Sequence, residues 1–320
     1  MATPLAERKL IFVTGKGGVG RTTVASALAL GLADSGKRVL LAELGGSHGC
    51  GPLFGIGTTY DYEPVALAKN LWLSHLTPAQ CLMEFGAMRL RVRALAEAVF
   101  NNPLVSALMG LVPGMEELLV IGKLDHLANL GGKAPDGRPY DLIVVDTPPT
   151  GQGLGLLALP RAILSAVSTG PIARDVGRIR SLVEDPDLTG LLLTTTPEEL
   201  PVDELLEYNA ALLAQGLPVA AVVANKCLPV IFQQRELEVL NHCIASARAH
   251  QNFSQDYETL SLCVGIHAIQ KAQEMQLMRL KQRVAVPVVE LPVITSPMNH
   301  TSALQRLAVT LSASASKEHP

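Results

Sequence analysis

The chain has 320 residues, 48% hydrophobic and 17% charged, and its 29 acidic against 26 basic side chains leave a formal charge of −3. That length fills one substantial core as a single elaborated unit over 1–320, and the charge balance removes the electrostatic basis for nucleic-acid binding. No apolar run approaches the ~18 residues of a membrane span; Met1-Ala2-Thr3-Pro4 opens no secretory signal and the five cysteines are scattered, so a cytoplasmic protein is expected.

Lys9 to Thr14 reads as a buried strand and Thr23 to Asp34 as a helix. Between them lies Gly15-Lys16-Gly17-Gly18-Val19-Gly20-Arg21-Thr22-Thr23. Loop N–H groups and the positive end of the helix then converge on one point, which suits the β- and γ-phosphates of a nucleotide. Gly17, Gly18 and Gly20 permit positive φ and close approach of a phosphate. Thr22 offers a hydroxyl to Mg²⁺ and Thr23 one to the α-phosphate. The pattern G-x-x-x-x-G-K-[ST] is met at Gly15, Gly20 and Thr22, but Arg21 stands where the lysine belongs. Arginine keeps the charge and forks onto phosphate oxygens, with a bulkier planar head. Lys16, directly after the first glycine, marks the deviant Walker A loop K-G-G-x-G-[KR]-T-[TS], whose extra lysine reaches across a dimer interface to the partner's nucleotide.

Further strands are read at Val39 to Glu43 and Leu71 to Leu76. A helical insertion follows, about 77–140: Met88, Val92, Leu95 and Val99 share one helical face, Asn102-Pro103 starts a second helix, and Pro113-Gly114 breaks it before Met115 to Leu130. Gly131-Gly132 ends that third helix. The run Leu142 to Asp146 is a strand ending in a carboxylate placed to hold Mg²⁺ through a water, as a Walker B aspartate does. Thr147-Pro148-Pro149-Thr150-Gly151-Gln152 then forms the loop that senses the γ-phosphate, with Gln152 one candidate for placing water. Strands at Leu191 to Thr195, Val219 to Ala224 and Val288 to Leu291 complete the alternation and imply an α/β fold, a doubly wound, mostly parallel sheet. After Leu191 to Thr195, Thr196 reads as a helix cap, with Pro197 in the first turn and Glu199 completing a capping box. A second helical segment spans about 232–283, and small polar residues make 312–320 a disordered tail. Methionines at 83, 88, 109, 115, 275 and 278 gather in the two helical regions, which suits an adaptable apolar surface and equally an ordinary helical layer.

The chain resembles the arsenite-transport ATPase family, which includes the eukaryotic ATPase that targets tail-anchored membrane proteins. The resemblance rests on Lys16 to Thr23, Pro113-Gly114-Met115-Glu116-Glu117, Asp146-Thr-Pro-Pro-Thr-Gly with Leu159-Pro160, Ala224-Asn225-Lys226, and Leu291-Pro292. It implies a P-loop NTPase of the SIMIBI class, with ATP and Mg²⁺ as cofactors. Asn225 would contact the adenine and Pro292 would lie at the nucleotide. A guanine-reading alternative for Asn225-Lys226 needs an aspartate where Leu228 stands.

Relatives that hydrolyse ATP carry an Asp-Pro-Ala segment after the second strand, and here Gly45 stands in that aspartate's place. Glu43, two residues upstream, either substitutes as the catalytic carboxylate or is a strand-end residue paired elsewhere. No Cys-x-x-Cys pair supports a zinc-clasped dimer, and no cysteine cluster supports arsenite binding. The expected function is an ATP-binding and ATP-hydrolysing dimeric switch, with Lys16, Arg21, Asp146 and Glu43 as catalytic candidates. Its partners would be a second copy or a related ATPase, and a client protein with an apolar helix. The alternative is a hydrolysis-poor regulatory subunit paired with an active homologue; phosphoryl transfer to a small molecule finds no acceptor site in the sequence.

Overall fold

The computed structural model describes residues 3–45, 48–90, 114–249, 255–294 and 300–315. Eight strands among them form one sheet: β1 (Leu10–Gly15), β2 (Val39–Leu44), β3 (Val65–Ala68), β4 (Leu71–Leu76), β5 (Leu142–Asp146), β6 (Thr189–Thr195), β7 (Val219–Cys227) and β8 (Val288–Pro292). Their order is β3-β4-β2-β5-β1-β6-β7-β8. Every pairing is parallel except β3 with β4. The central strands read as continuous apolar runs because both faces are covered. In β1, Leu10 and Phe12 join one core, Ile11 and Val13 the other.

The first face is covered by α1 (Arg21–Asp34) with α10 (His300–Ala315) packed along it, and by the short α2 (Cys50–Leu53). Leu28 and Leu32 of α1 meet Leu304, Leu307 and Leu311 of α10 in that core. The second face carries α4 (Met115–Asn129), α5 (Thr150–Ala166), α6 (Gly170–Glu184), α7 (Glu199–Ala214) and the end of α9 (Gln255–Arg283), through Ile121, Leu156, Ile179, Val202 and Leu280. α3 (Pro78–Leu90) packs on α4, and α8 (Gln234–Ala249) on α9. Consecutive strands add on opposite sides of β1, with β5 on one flank and β6 on the other. Such a reversal opens a crevice at the carboxyl ends of the strands, where α/β sheets bind ligands.

The structure departs from the sequence expectations at three points. β3 was not anticipated, because Val65-Ala66-Leu67-Ala68 is short and alternates half-buried with exposed positions. Thr196 does not cap α7. Glu198 is its N-cap, and the Glu198 N–H is turned back onto the Thr196 carbonyl at 2.8 Å, so Pro201, not Pro197, occupies the first turn. Residues 312–315 belong to α10, held by buried Leu311 and Ala315 against α1 and the sheet. Gly131, at φ +95°, ends α4 as read, and the Gly132 N–H closes back onto the His126 carbonyl at 3.2 Å. Val92, Leu95, Val99, Met109 and the helix read from Asn102-Pro103 lie outside the described residues. Among the described residues no helix is long and apolar enough to cross a membrane.

Candidate functional site

The loop from β1 to α1 lies at the crevice. Gly17, read as a positive-φ position, does not take one. Gly18 and Gly20 have φ of +84° and +92°, and Gly20 is the N-cap of α1. A Cβ on Gly20 would run into the Asn225 amide, and one on Gly15 into the Thr194 carbonyl. The loop is therefore shaped by β6 and β7 as well as by its own sequence. β7 shifts register between Ala224 and Cys227, and Lys226 there takes φ +61°. That bulge turns two side chains onto the loop: Asn225 Nδ2 donates to the Val19 carbonyl at 2.9 Å and Lys226 Nζ to the Gly18 carbonyl at 3.0 Å. Pro292 pairs with Cys227, which puts the end of β8 beside the same bulge.

At the start of α1, Thr22 Oγ1 donates to Asp146 Oδ2 at 2.7 Å. Asp146 is 5% exposed, and its Oδ1 is buried with no hydrogen-bond partner among the described residues. Burial raises the Asp146 carboxyl to about 6, against the pull of the Thr22 hydroxyl and the Arg21 guanidinium and with the push of Glu43. A buried carboxylate with an orphaned oxygen beside a threonine hydroxyl is a donor set of the hard-oxygen kind that Mg²⁺ takes. The residues fit the cofactor implied by the loop.

Lys16 and Arg21 are held by different tethers. Lys16 Nζ forms an ion pair with Glu204 of α7, and Arg21 Nη1 donates to the carbonyl of Thr147, just beyond β5. Burial lowers the Arg21 pKa, offset in part by Asp146. Tyr208 of α7 lies with its hydroxyl 3.4 Å from Thr14 Oγ1.

Glu43 is 1% exposed at the end of β2. Its Oε1 accepts the Gly49 and Cys50 N–H groups at 2.6 and 3.1 Å, and its Oε2 accepts the Tyr60 hydroxyl. The carboxylate thus pins the start of α2. Ligand atoms of Glu43, Cys50 and Asp146 lie within 4.8 Å of one another, so the pinned segment borders the Asp146 carboxylate. Gly45 has φ +102°, a left-handed backbone that an aspartate would adopt only under strain, and His75 Nε2 sits 2.5 Å from its carbonyl. Thr150 begins α5 after Pro148-Pro149, and the side chain of Gln152 lies outside what the structure describes.

The family model for "Anion-transporting ATPase" matches residues 8–169, which contain the loop, Asp146 and the start of α5. The chain belongs to this family. It is an ATPase by that membership. The ATPase is 32% identical over 238 residues to "ATPase BagA" of Mycobacterium tuberculosis, covering 72% of this chain and 68% of that one. It is 26% identical over 252 residues to "ATPase GET3" of Kluyveromyces lactis, covering 68% and 72%. It is 28% identical over 251 residues to the "Arsenical pump-driving ATPase" of Escherichia coli, covering 74% of this chain and 41% of that one.

Sequence reasoning named the loop, Asp146, Thr147, Asn225 and Lys226 of the ATPase but not the contacts that Thr147 and Lys226 make, nor Glu204 and Tyr208. Glu204 and Tyr208 both lie on α7, and no local spacing ties them to the loop.

Proposed function

We propose that the ATPase is an ATP-driven dimeric switch whose nucleotide state moves α9 and its neighbours. ATP would occupy the Gly15–Thr23 loop, with Arg21 on its phosphates, Thr22 and Asp146 holding Mg²⁺, and Lys16 reaching to the phosphates of the partner's nucleotide. The cation, when bound, neutralises charge on the transferred phosphoryl group. With its Nδ2 committed to Val19, Asn225 keeps Oδ1 as an acceptor, which pairs with the amine of adenine and not with the carbonyl of guanine.

The observation that carries the coupling is the double attachment of α9 to the site. Gln273 Oε1 accepts the Leu228 N–H at 2.8 Å, which fixes the end of the bulge bearing Asn225 and Lys226. Arg279 pairs with Asp203 at 2.5 Å, next to the Glu204 that holds Lys16. A phosphate that draws Lys16 from Glu204, or shifts the bulge, is felt by α9 at two points six residues apart. The same helix exposes Leu262, Ile269, Met275 and Met278, and α3 exposes Met88. These suit an adaptable apolar partner surface, for a client protein with an apolar helix.

Lys16 is 53% exposed at its side chain and is the residue with reach to a second subunit. In sedimentation velocity, the wild type with a non-hydrolysable ATP analogue and Mg²⁺ is expected to dimerise. Lys16→Ala should bind the analogue and stay monomeric. A wild type that remains monomeric with bound analogue would contradict the dimeric switch. Gly45, whose left-handed backbone suits a glycine and leaves no carboxylate where hydrolysing relatives are expected to carry an aspartate, favours a second reading, slow turnover in a subunit that pairs with a more active relative.

A further inference from the structure

The replacement of the loop lysine by Arg21 has a structural counterpart in Thr147. This residue is held to β1 by two donors: its N–H meets the Val13 carbonyl at 3.2 Å and its Oγ1 the same carbonyl at 3.0 Å. Its own carbonyl points the other way and receives Arg21 Nη1. Pro148 and Pro149 come next, and neither has an N–H with which to fasten the segment. Thr147 is therefore the last residue that backbone donors can anchor before α5 begins. Among the described residues, its carbonyl is the handle that the phosphate-binding loop holds on that turn.

From this we infer that Arg21 is a positioning residue that ties the Pro148-Pro149 turn to the nucleotide's phosphates, a task a lysine at this position cannot share. The guanidinium carries five N–H donors in a fixed plane, so one nitrogen holds the Thr147 carbonyl while the others face phosphate oxygens. An ammonium has three donors, but they fan from one atom and rotate freely, so it spans less and holds the carbonyl in no fixed plane relative to the phosphates. Arg21 lies at the first position of α1, where the helix end already favours anions, so affinity does not depend on its exact head group. What depends on the fork is the shape of the turn between β5 and α5. Pro148 also lies against the second strand's exit: a Cβ on Gly45 would meet Pro148 Cγ at 3.7 Å. The tether thus reaches both segments that follow β2 and β5. The inference rests on the proposed placement of ATP at this loop.

The test compares wild type with Arg21→Lys for ATP affinity, turnover, and hydrogen exchange of the Thr147–Gly155 amides with and without nucleotide. The expected result is affinity within about threefold of wild type, turnover lower by about tenfold or more, and loss of the protection that ATP gives those amides in the wild type. A lysine variant that turns over as fast as wild type or faster, or that keeps the protection, overturns the tether. Should Arg21→Lys fail to fold, Arg21→Gln serves in its place, since its amide donates to the carbonyl without charge. It is expected to lower ATP affinity by about tenfold and, at saturating ATP, to leave those amides without the protection seen in the wild type; protection equal to wild type overturns the claim. A wild type that binds no ATP overturns the placement of the nucleotide and the tether with it.

Discussion

Asp146 shows how one buried side chain carries a cost that the site's chemistry explains. Its carboxyl is raised from 3.8 to about 6, chiefly by burial, and its Oδ1 finds no partner among the described residues. The folded protein therefore holds a proton there that the unfolded chain has released, across the interval from 3.8 to about 6. By linkage, stability falls as pH rises through that interval, by about 3 kcal/mol for a two-unit shift, and stays lower above it. Asp146→Asn keeps an acceptor for the Thr22 hydroxyl and removes the titration. In denaturant unfolding without nucleotide or Mg²⁺, the variant should be the more stable at pH 7.5, with the gain shrinking toward pH 4. A gain that does not change with pH would assign it to packing and not to the buried charge. A cation held at the proposed Mg²⁺ site would give that orphaned oxygen its partner.

At the scale of elements, α1 connects the phosphate loop to the rest of the molecule, and its packing on α10 is set by a single glycine. A Cβ on Gly31 would lie 2.7 Å from the Ala308 carbonyl and 3.0 Å from Ser312 Cβ, so two backbones meet there. Gly31→Ala gains up to about 1 kcal/mol in helix propensity but forces the helices apart, and a net loss of about 1–3 kcal/mol is expected from urea unfolding. Gly177 in α6 has nothing within 4 Å of a built Cβ, so Gly177→Ala should stabilise by about 0.5–1 kcal/mol. Equal effects at the two sites would show that backbone propensity, and not close approach, governs both. The elements themselves were legible where the physics is local. Continuous apolar runs marked β1, β2, β4, β5 and β6, and the double glycine marked the end of α4. β3 escaped because an antiparallel edge strand takes its stability from β4 and not from its own four residues. The cap at Thr196 was misread because Ser/Thr-x-x-Glu spacing is silent about a tight turn that spends those residues before the helix starts.

For the whole molecule, the site was legible in proportion to how much of it lies on one stretch of chain. The glycines, Thr22 and the carboxylate ending β5 announce themselves by spacing, and family resemblance added Asn225. The contacts that link the site to the helices join distant segments: Arg21 to Thr147, Lys16 to Glu204, Gln273 to Leu228, Arg279 to Asp203. Each partner is an ordinary polar group in its own neighbourhood, so only the fold reveals it. Under the proposed switch, these contacts would carry the loop's occupancy to the helices.

The most direct test is steady-state MgATP hydrolysis by the purified chain, with ATP binding measured on the same preparation and Asp146→Ala as the control. The account predicts saturable binding by both proteins and turnover in the wild type that the substitution lowers by at least about a hundredfold. Turnover that survives Asp146→Ala, or a wild type that fails to bind ATP, would contradict the assignment of the catalytic site to the loop at Gly15–Thr23 and the carboxylate beside it.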